Sequence, residues 1–293
     1  MDSRELVLRC LAHLADVENR IVVDNASSDG TAAAVAAADP DATVVRLDNE
    51  QSLSGAYNRG AEAGSSELVL FLNDDILASP GSVHALQAAL DSDTGAVAAA
   101  GRLVDAESGE TQPEYLPHPF PGVGRFVAAF SGLKRVWPDN PWTAPHADRT
   151  LDDAPVPVDQ PAGACLLVRR SAFDKAGRWD EHFELWYEDT DLARRLGTLG
   201  RVLFVPRAPF RHVGGHSTRR LSRAEVIRRS YGSAIRYGAK HFGTGRRIAL
   251  GALFAAAAAI RAPLVQRKDP ELARSYREVR NAALGLLRGR ART

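Results

Sequence analysis

Between residues 21 and 100, short apolar runs alternate with helix-like segments of about ten residues, and no other feature constrains the fold as strongly. Ile21-Val22-Val23-Asp24 ends in a turn cluster, Asn25 to Gly30, and Thr31 to Ala38 reads as the helix behind it. Thr43 to Leu47 is the next strand, a helix follows around Gly55 to Ala63, and Glu67 to Leu72 is a third strand ending in Asn73-Asp74-Asp75. Pro80 suits the first turn of a helix running to Leu90, and Ala96 to Ala100 is a further strand. Strands spaced this way imply βαβ units, hence an α/β fold with a mostly parallel sheet flanked by helices.

The rhythm then breaks. Ten of the 16 prolines fall between Pro113 and Pro161, which predicts an irregular excursion over the surface. Regular structure returns with a strand over Ala164 to Val168, Ser171 as a helix N-cap, a helix over Glu188 to Leu199 and a strand over Arg201 to Val205. Beyond about residue 220 the pattern is helical. Leu250, Leu253, Phe254, Ala257 and Leu264 fall at helical spacing, as do Leu272, Tyr276, Val279, Ala283 and Leu286, with arginines at 274, 277, 280, 288, 290 and 292 around the second stripe. The expected organisation is one α/β domain over residues 1–220 and a basic helical extension over 221–293.

The formal net charge of +1 on 293 residues conceals a split. Residues 1–200 carry 16 Lys and Arg against 32 Asp and Glu, whereas residues 201–293 carry 21 against 4. Such segregation predicts that the C-terminal third meets something anionic, the alternative being an Arg-rich solvated surface. No nucleic-acid module is readable, so nucleic acid is not expected as a partner. Two cysteines, Cys10 and Cys165, cannot form a disulfide framework, and nothing resembles a signal peptide, which points to a reducing cytosolic setting. The longest apolar stretch, Ile248 to Ile260, falls short of the roughly 20 residues a spanning helix needs.

Three groups of residues could carry chemistry. Parallel α/β sheets place ligand sites at the carboxyl ends of strands, where Asp24, Asp74 and Asp75 sit. Asp74 and Asp75 would face a cleft in which Mg²⁺ or Mn²⁺ relieves their repulsion, or would only cap a turn before Pro80. Glu188-Asp189-Thr190-Asp191 follows the aromatic pair Trp186-Tyr187 at a helix N-terminus. Acids there either serve the helix dipole or accept a proton from a hydroxyl at the mouth of a cleft. His212 and His216 flank two glycines, so a helical zinc pair is excluded, and one of them is either a loop metal ligand or structural.

The order of the blocks is more specific than any one of them. Val22 to Thr31, then Leu72-Asn73-Asp74-Asp75, then Gly163 to Arg170, then Glu188 to Leu192, then His212 closely resembles family 2 glycosyltransferases of the GT-A fold, over roughly residues 4–242. Val136 to Thr143 and Trp186-Tyr187-Glu188-Asp189 look most like actinobacterial rhamnosyltransferases, which act on polyprenyl-diphosphate-linked N-acetylglucosamine in cell-wall synthesis. The resemblance implies that Asp24 reads the nucleotide base, and that Asn58 and Gly60 line the donor pocket. It implies a D-x-D-like motif beginning at Asn73, in which Asp75 binds the metal and Asp74 lies near the ribose or shares the metal. Asp189 would be the catalytic base with Glu188 beside it, and His212 the late metal-ligand histidine.

Those roles imply an inverting, Mg²⁺- or Mn²⁺-dependent transfer from a nucleotide-sugar donor, dTDP-rhamnose as the best match, to a polyprenyl-diphosphate-linked acceptor. They also give the charge split a reading: Arg219, Arg220, Arg228 and Arg229, with the two basic amphipathic helices, would dock an otherwise cytoplasmic enzyme on the anionic inner face of the plasma membrane. Two departures stand out. Family members begin with a strand such as Val-Val-Ile-Val-Thr-Tyr-Asn, whereas Ser3 to Leu11 reads as the helix after it, so that first strand is expected to be missing. Asn49 to Gly55 also departs from the family's Asn-Leu-Gly run. These departures keep an alternative open, a non-catalytic nucleotide-binding scaffold.

Overall fold

The computed structural model describes residues 3–131, 137, 153–214 and 221–288. Its contacts divide into two compact units. The first contains α1 (Arg4–Ala12), β1 (Ile21–Asp24), α2 (Thr31–Ala38), β2 (Thr43–Arg46), α3 (Leu53–Ala63), β3 (Leu68–Leu72), β4 (Ile76–Ala78), α4 (Ser82–Ser92) and β5 (Ala96–Asp105). After α5 (Val123–Ser131), which belongs to the second unit, it continues with β6 (Val156–Pro157), β7 (Cys165–Arg169), α6 (Arg170–Lys175), α7 (Glu188–Leu196), of which Glu188 falls to the second unit, and β8 (Arg201–His212).

The α/β expectation holds, with a mixed rather than uniform ladder. β1–β2 and β5–β8 are parallel, while β3–β7, β5–β7, β4–β8 and β6–β8 are antiparallel. Along β7 the side chains alternate, Cys165 and Leu167 entering one apolar cluster with Leu86, Leu90 and Phe210, and Leu166 and Val168 entering another with Phe71, Phe173 and Leu192. Both faces are covered, which is why this strand reads as an unbroken apolar run. β1 and β2 form a sheet of their own, separate from the order β3-β7-β5-β8-β4. Among the described residues, the second edges of β1 and β3 have no ladder partner.

That strand order places β3 and β4 at opposite ends of one path, yet only Asn73-Asp74-Asp75 joins them. From Leu72 to Ile76 the chain reaches at most about 14 Å, while five flat strands would hold their outer members about 19 Å apart. The sheet therefore has to curl. The ladder between β5 and β8 slips after Gly101, stepping from Val205 to Pro209, and a Cβ on Gly101 would lie 2.3 Å from the Phe210 ring. This irregularity carries β8 past Pro206 and Pro209 to His212 and pairs His212 with Ile76, immediately after Asp75.

Local corrections follow from backbone geometry. Pro80 stays outside α4, which begins at Ser82 behind Gly81 in a left-handed conformation (φ +78°). Ser171 lies inside α6 rather than capping it, because Arg169 turns directly from β7 into the helix. Glu188 to Leu199 shortens to α7, and both β5 and β8 run longer than the sequence indicated.

The second unit joins α5 and residues 182–188 to α8 (Arg223–His241), α9 (Thr244–Val265) and α10 (Pro270–Leu287). Ser222 and Glu225 form a reciprocal capping box on α8, and Asp269 caps α10 by accepting the Leu272 N–H at 2.8 Å, with Pro270 in the first turn. Phe126, Tyr237, Leu250 and Phe254 are buried together, and the whole α10 stripe from Leu272 to Leu286 faces that core. The α9 stripe is covered only in part, since Leu264 is exposed. α9 is also longer than the apolar run suggested: its 22 residues suffice, by length and composition, to cross a membrane. The one charge interrupting its apolar run, Arg261, donates to the Phe130 carbonyl at 2.7 Å and the Tyr231 hydroxyl at 3.2 Å.

Candidate active site

Asp75 sits on the link between β3 and β4 with its side chain buried. Its carbonyl accepts the Val213 N–H at 3.0 Å, and its Oδ2 lies 3.4 Å from His212 Nε2. Asp75 Oδ1 is buried without a hydrogen-bond partner. His212 is held from behind: its Nδ1 is 2.8 Å from Gln112 Oε1, and the Tyr115 ring meets it edge-on at 4.7 Å. With the amide oxygen accepting from Nδ1–H, a neutral imidazole turns its Nε2 lone pair toward a carboxylate. Two acceptors this close in a buried place require a proton or a cation between them. Asp75 and His212 thus fit two positions of a divalent ion, and the unpartnered Oδ1 adds a donor atom. Among the described residues there is no group of three or more His, Cys, Asp or Glu able to hold a metal. His216 lies outside the described residues.

Asp74 is partly buried beside this pair. Burial raises its carboxyl above the ordinary range, the Ser3 hydroxyl opposes this by donating to it, and the charge of Asp75 raises it again. Cys10 of α1 is buried next to both acids. Burial, then Asp74, then Asp75 push its thiol up to about 12, so it remains protonated and inert. The Asn73 side chain accepts from the Tyr57 hydroxyl at 2.5 Å.

Asp24, at the end of β1, is buried and shapes the following turn. Its Oδ1 accepts the Ser27 N–H at 2.9 Å and the Ser27 hydroxyl, Ala26 adopts a left-handed conformation (φ +59°), and Arg46 Nε stands 3.9 Å from Oδ2. Asn25 clamps Gln51 in both directions, donating to its carbonyl at 2.9 Å and accepting its N–H at 2.8 Å. The departing Asn49-to-Gly55 segment is thereby fixed to the end of β1, and Ser52 caps α3. Asn58 is buried, and its amide holds Trp179 and Glu181: Nδ2 donates to the Trp179 carbonyl at 3.0 Å and to Glu181 Oε1 at 2.8 Å, while Oδ1 accepts the Trp179 N–H at 3.2 Å. Gly60 faces β1 through Val23.

Asp189 stands in the first turn of α7. Its Oδ1 accepts the Thr190 N–H at 2.6 Å, its Oδ2 accepts the Gly163 N–H at 3.2 Å, and burial raises its carboxyl despite these bonds. A Cβ at position 163 would lie 2.5 Å from the Asp189 Cβ, so only glycine permits this approach. The neighbouring Ala164 carbonyl accepts the Asn73 N–H at 3.0 Å. Gly163-Ala164 therefore ties the carboxylate of α7 to the acidic link after β3. Glu188 opens α7, preceded by Trp186 and Tyr187, both left-handed (φ +61° and +71°). Two consecutive non-glycine residues in that region cost about 1–3 kcal/mol each, and such strain concentrates at functional sites. α7 is anchored from inside by Asp191, whose fully buried Oδ2 accepts Arg195 Nη2 at 2.6 Å and Nε at 2.9 Å.

The sequence reading missed Gln112, Tyr115 and Gly163. Gln112 and Tyr115 sit in the proline-rich excursion and carry no local pattern. Gly163 was seen only as part of a block. Of the segment Val136 to Thr143, only Trp137 belongs to the described residues, and Arg219 and Arg220 lie outside them.

Comparison with known families matches residues 2–177 to glycosyl transferase family 2. The N-acetylglucosaminyl-diphospho-decaprenol L-rhamnosyltransferase of Mycobacterium tuberculosis is 34% identical over 212 residues, 68% of this chain and 68% of its own length, in both strains CDC 1551 and H37Rv. Among solved structures, S. aureus TarS in complex with UDP-GlcNAc superposes with a TM-score of 0.53 at 14% identity, covering 96% of this chain and 88% of that one. GalNAc-T7 with UDP, GalNAc and Mn²⁺ gives 0.51 at 13% identity, covering 74% of this chain, which spans 45% of that protein. At these identities the two structures speak for the fold alone.

Proposed function

The chain belongs to glycosyl transferase family 2, and from that membership we propose that it is an inverting rhamnosyltransferase. The donor is dTDP-rhamnose and the acceptor a hydroxyl of N-acetylglucosamine on a polyprenyl diphosphate, at the cytoplasmic face of the membrane. The observation that carries this reading is the 34% identity to the mycobacterial enzyme whose name specifies that transfer.

In the proposed mechanism Asp189 accepts the proton of the acceptor hydroxyl as its oxygen bonds to the anomeric carbon. On the opposite side the bond from that carbon to the diphosphate breaks, and dTDP departs. Glu188 lies beside the base. Asp24, Asn73 and Asp74 contact the nucleotide sugar, and Asn58 supports the pocket by holding the Trp179 to Glu181 segment. Asp75 and His212 would hold Mg²⁺ or Mn²⁺, which when bound offsets the negative charge of the leaving diphosphate. Alignment of both substrates supplies much of the remaining acceleration.

The non-catalytic alternative is not favoured, because the base, the acidic link and the histidine are all present. The test is incubation with Mg²⁺, dTDP-rhamnose and a polyprenyl-diphosphate-linked N-acetylglucosamine. A disaccharide product is expected. Nucleotide binding without transfer from any of several donors would return the scaffold reading.

A further inference from the structure

α9 is apolar on two sides, and the described residues of its own unit cover only one. Leu250, Phe254, Ala258 and Ala262 are buried, whereas Ile248 (47% exposed), Ala252, Ala256, Ile260 (64%) and Leu264 (74%) form an uncovered row along the opposite face. Successive members stand four residues apart and each step turns about 40°, so over about 24 Å the row crosses one broad exposed face on which Ala249, Ala259 and Pro263 also lie. Cations mark both ends, Arg246 and Arg247 at the start and Arg267 and Lys268 just beyond the finish, and no Asp or Glu occurs between Gly243 and Lys268.

We propose that this row is a membrane-docking surface on which α9 lies flat in the interface of an anionic bilayer, its alanines and branched side chains among the upper acyl chains and its terminal cations on the lipid phosphates. Continuous exposed apolar surface with a basic border is the pattern of an interfacial helix. Charge favours the bilayer over a second copy of this chain: two such faces set against each other would bring Arg246 and Arg247 toward Arg267 and Lys268, and of the nearest acids Asp269 is occupied in capping α10, which leaves Glu271 against four cations. A spanning orientation conflicts with the burial of Leu250, Phe254 and Ala258 against α5 and α10. The inference deepens the proposed function, resting on the reading that the acceptor is a lipid, and it moves the contact from the stripes expected to carry it. The α10 stripe is buried, and the lipid-facing side of α9 is the reverse of its core-facing side.

The test is flotation of the full chain, without donor or acceptor, with vesicles of phosphatidylcholine alone and of phosphatidylcholine with phosphatidylglycerol. Binding to the anionic vesicles is expected to fall about tenfold or more in the double variant Ile260→Glu/Leu264→Glu and in the single variant Ala256→Glu. The control Leu199→Glu, an exposed apolar position on the first unit, should bind like the unaltered chain. Unchanged melting curves establish that the variants are folded. The proposal is overturned if the variants bind as the parent does, if neutral vesicles bind equally well, or if the parent does not bind. It is equally overturned if sedimentation shows a dimer that the double variant dissociates. Since no transfer is measured, failure here is distinct from failure of the proposed activity.

Discussion

His212 Nδ1 lies 2.8 Å from Gln112 Oε1, a bond between residues one hundred positions apart that determines which imidazole nitrogen faces Asp75. Partners of this kind typically change metal affinity or activity 10–100-fold when removed. In Gln112→Ala the ring loses its acceptor and the Nε2 lone pair is no longer fixed toward the carboxylate. The Mg²⁺ concentration for half-maximal transfer should rise roughly tenfold or more. Gln112→Glu retains an acceptor and should restore most of the loss. A metal titration that is identical in parent and Gln112→Ala protein would remove Gln112 from the site.

Asp189 is held above the ordinary carboxylate range by burial, and only its ionised form can accept a proton. Activity should therefore rise with pH through this elevated value and be lost below it. Stability runs the other way: a folded-state pKa above the unfolded one favours the protonated native form, an advantage fully present below the unfolded pKa and lost as pH rises through the folded one. Asp189→Asn keeps one acceptor oxygen, for the Thr190 N–H, and sets an amide NH₂ against the Gly163 N–H, so it should still fold, lose about 1–3 kcal/mol of stability at neutral pH, and lose about 10²- to 10⁴-fold in kcat. Full turnover in that variant would show that Asp189 is not the base.

Gly163→Ala addresses the position of Asp189 rather than its chemistry. The added Cβ would sit 2.5 Å from the Asp189 Cβ, so the carboxylate has to move. A displacement near 1 Å can cost about 10²-fold. The expected signature is a fall in kcat with little change in KM for the donor, measured by steady-state kinetics. A matching rise in donor KM would place the damage in the nucleotide pocket instead.

The legible part of this fold is what depends on local pattern. β1, α2, β2, α3 and β3 follow period and turn chemistry, and the five ordered blocks already contain Asp75, Asp189 and His212. The illegible part depends on distant partners. β8 looked finished at Val205 because Pro206 and Pro209 cannot donate to a ladder, yet both are tolerated around the slip after Gly101, and the strand continues to His212. Gln112 has no motif, since its role arises only when β8 and the segment after β5 meet. In α9 the alanines make every face apolar, so periodicity alone could not tell the covered side from the exposed one.

The Asp191–Arg195 pair provides a prediction for stability independent of activity. The Asp191 side chain is fully buried, and the Arg195 guanidinium meets its Oδ2 through two nitrogens while Nη1 donates to the carbonyls of Ala176 and, at 2.7 Å, Arg178. Removing the carboxylate leaves a largely enclosed cation without its counter-charge, which costs about 3–5 kcal/mol. Asp191→Ala should therefore lower Tm by roughly 10 °C, at about 2–4 °C per kcal/mol for a unit of this size. Replacing both residues with leucine should not restore the parent Tm. The carbonyls of Ala176 and Arg178 would lose their donor, at about 1–3 kcal/mol for each buried group left unpaired. Thermal unfolding followed by circular dichroism separates the cases: a double variant as stable as the parent would mean that these carbonyl bonds contribute nothing to holding α7 in place.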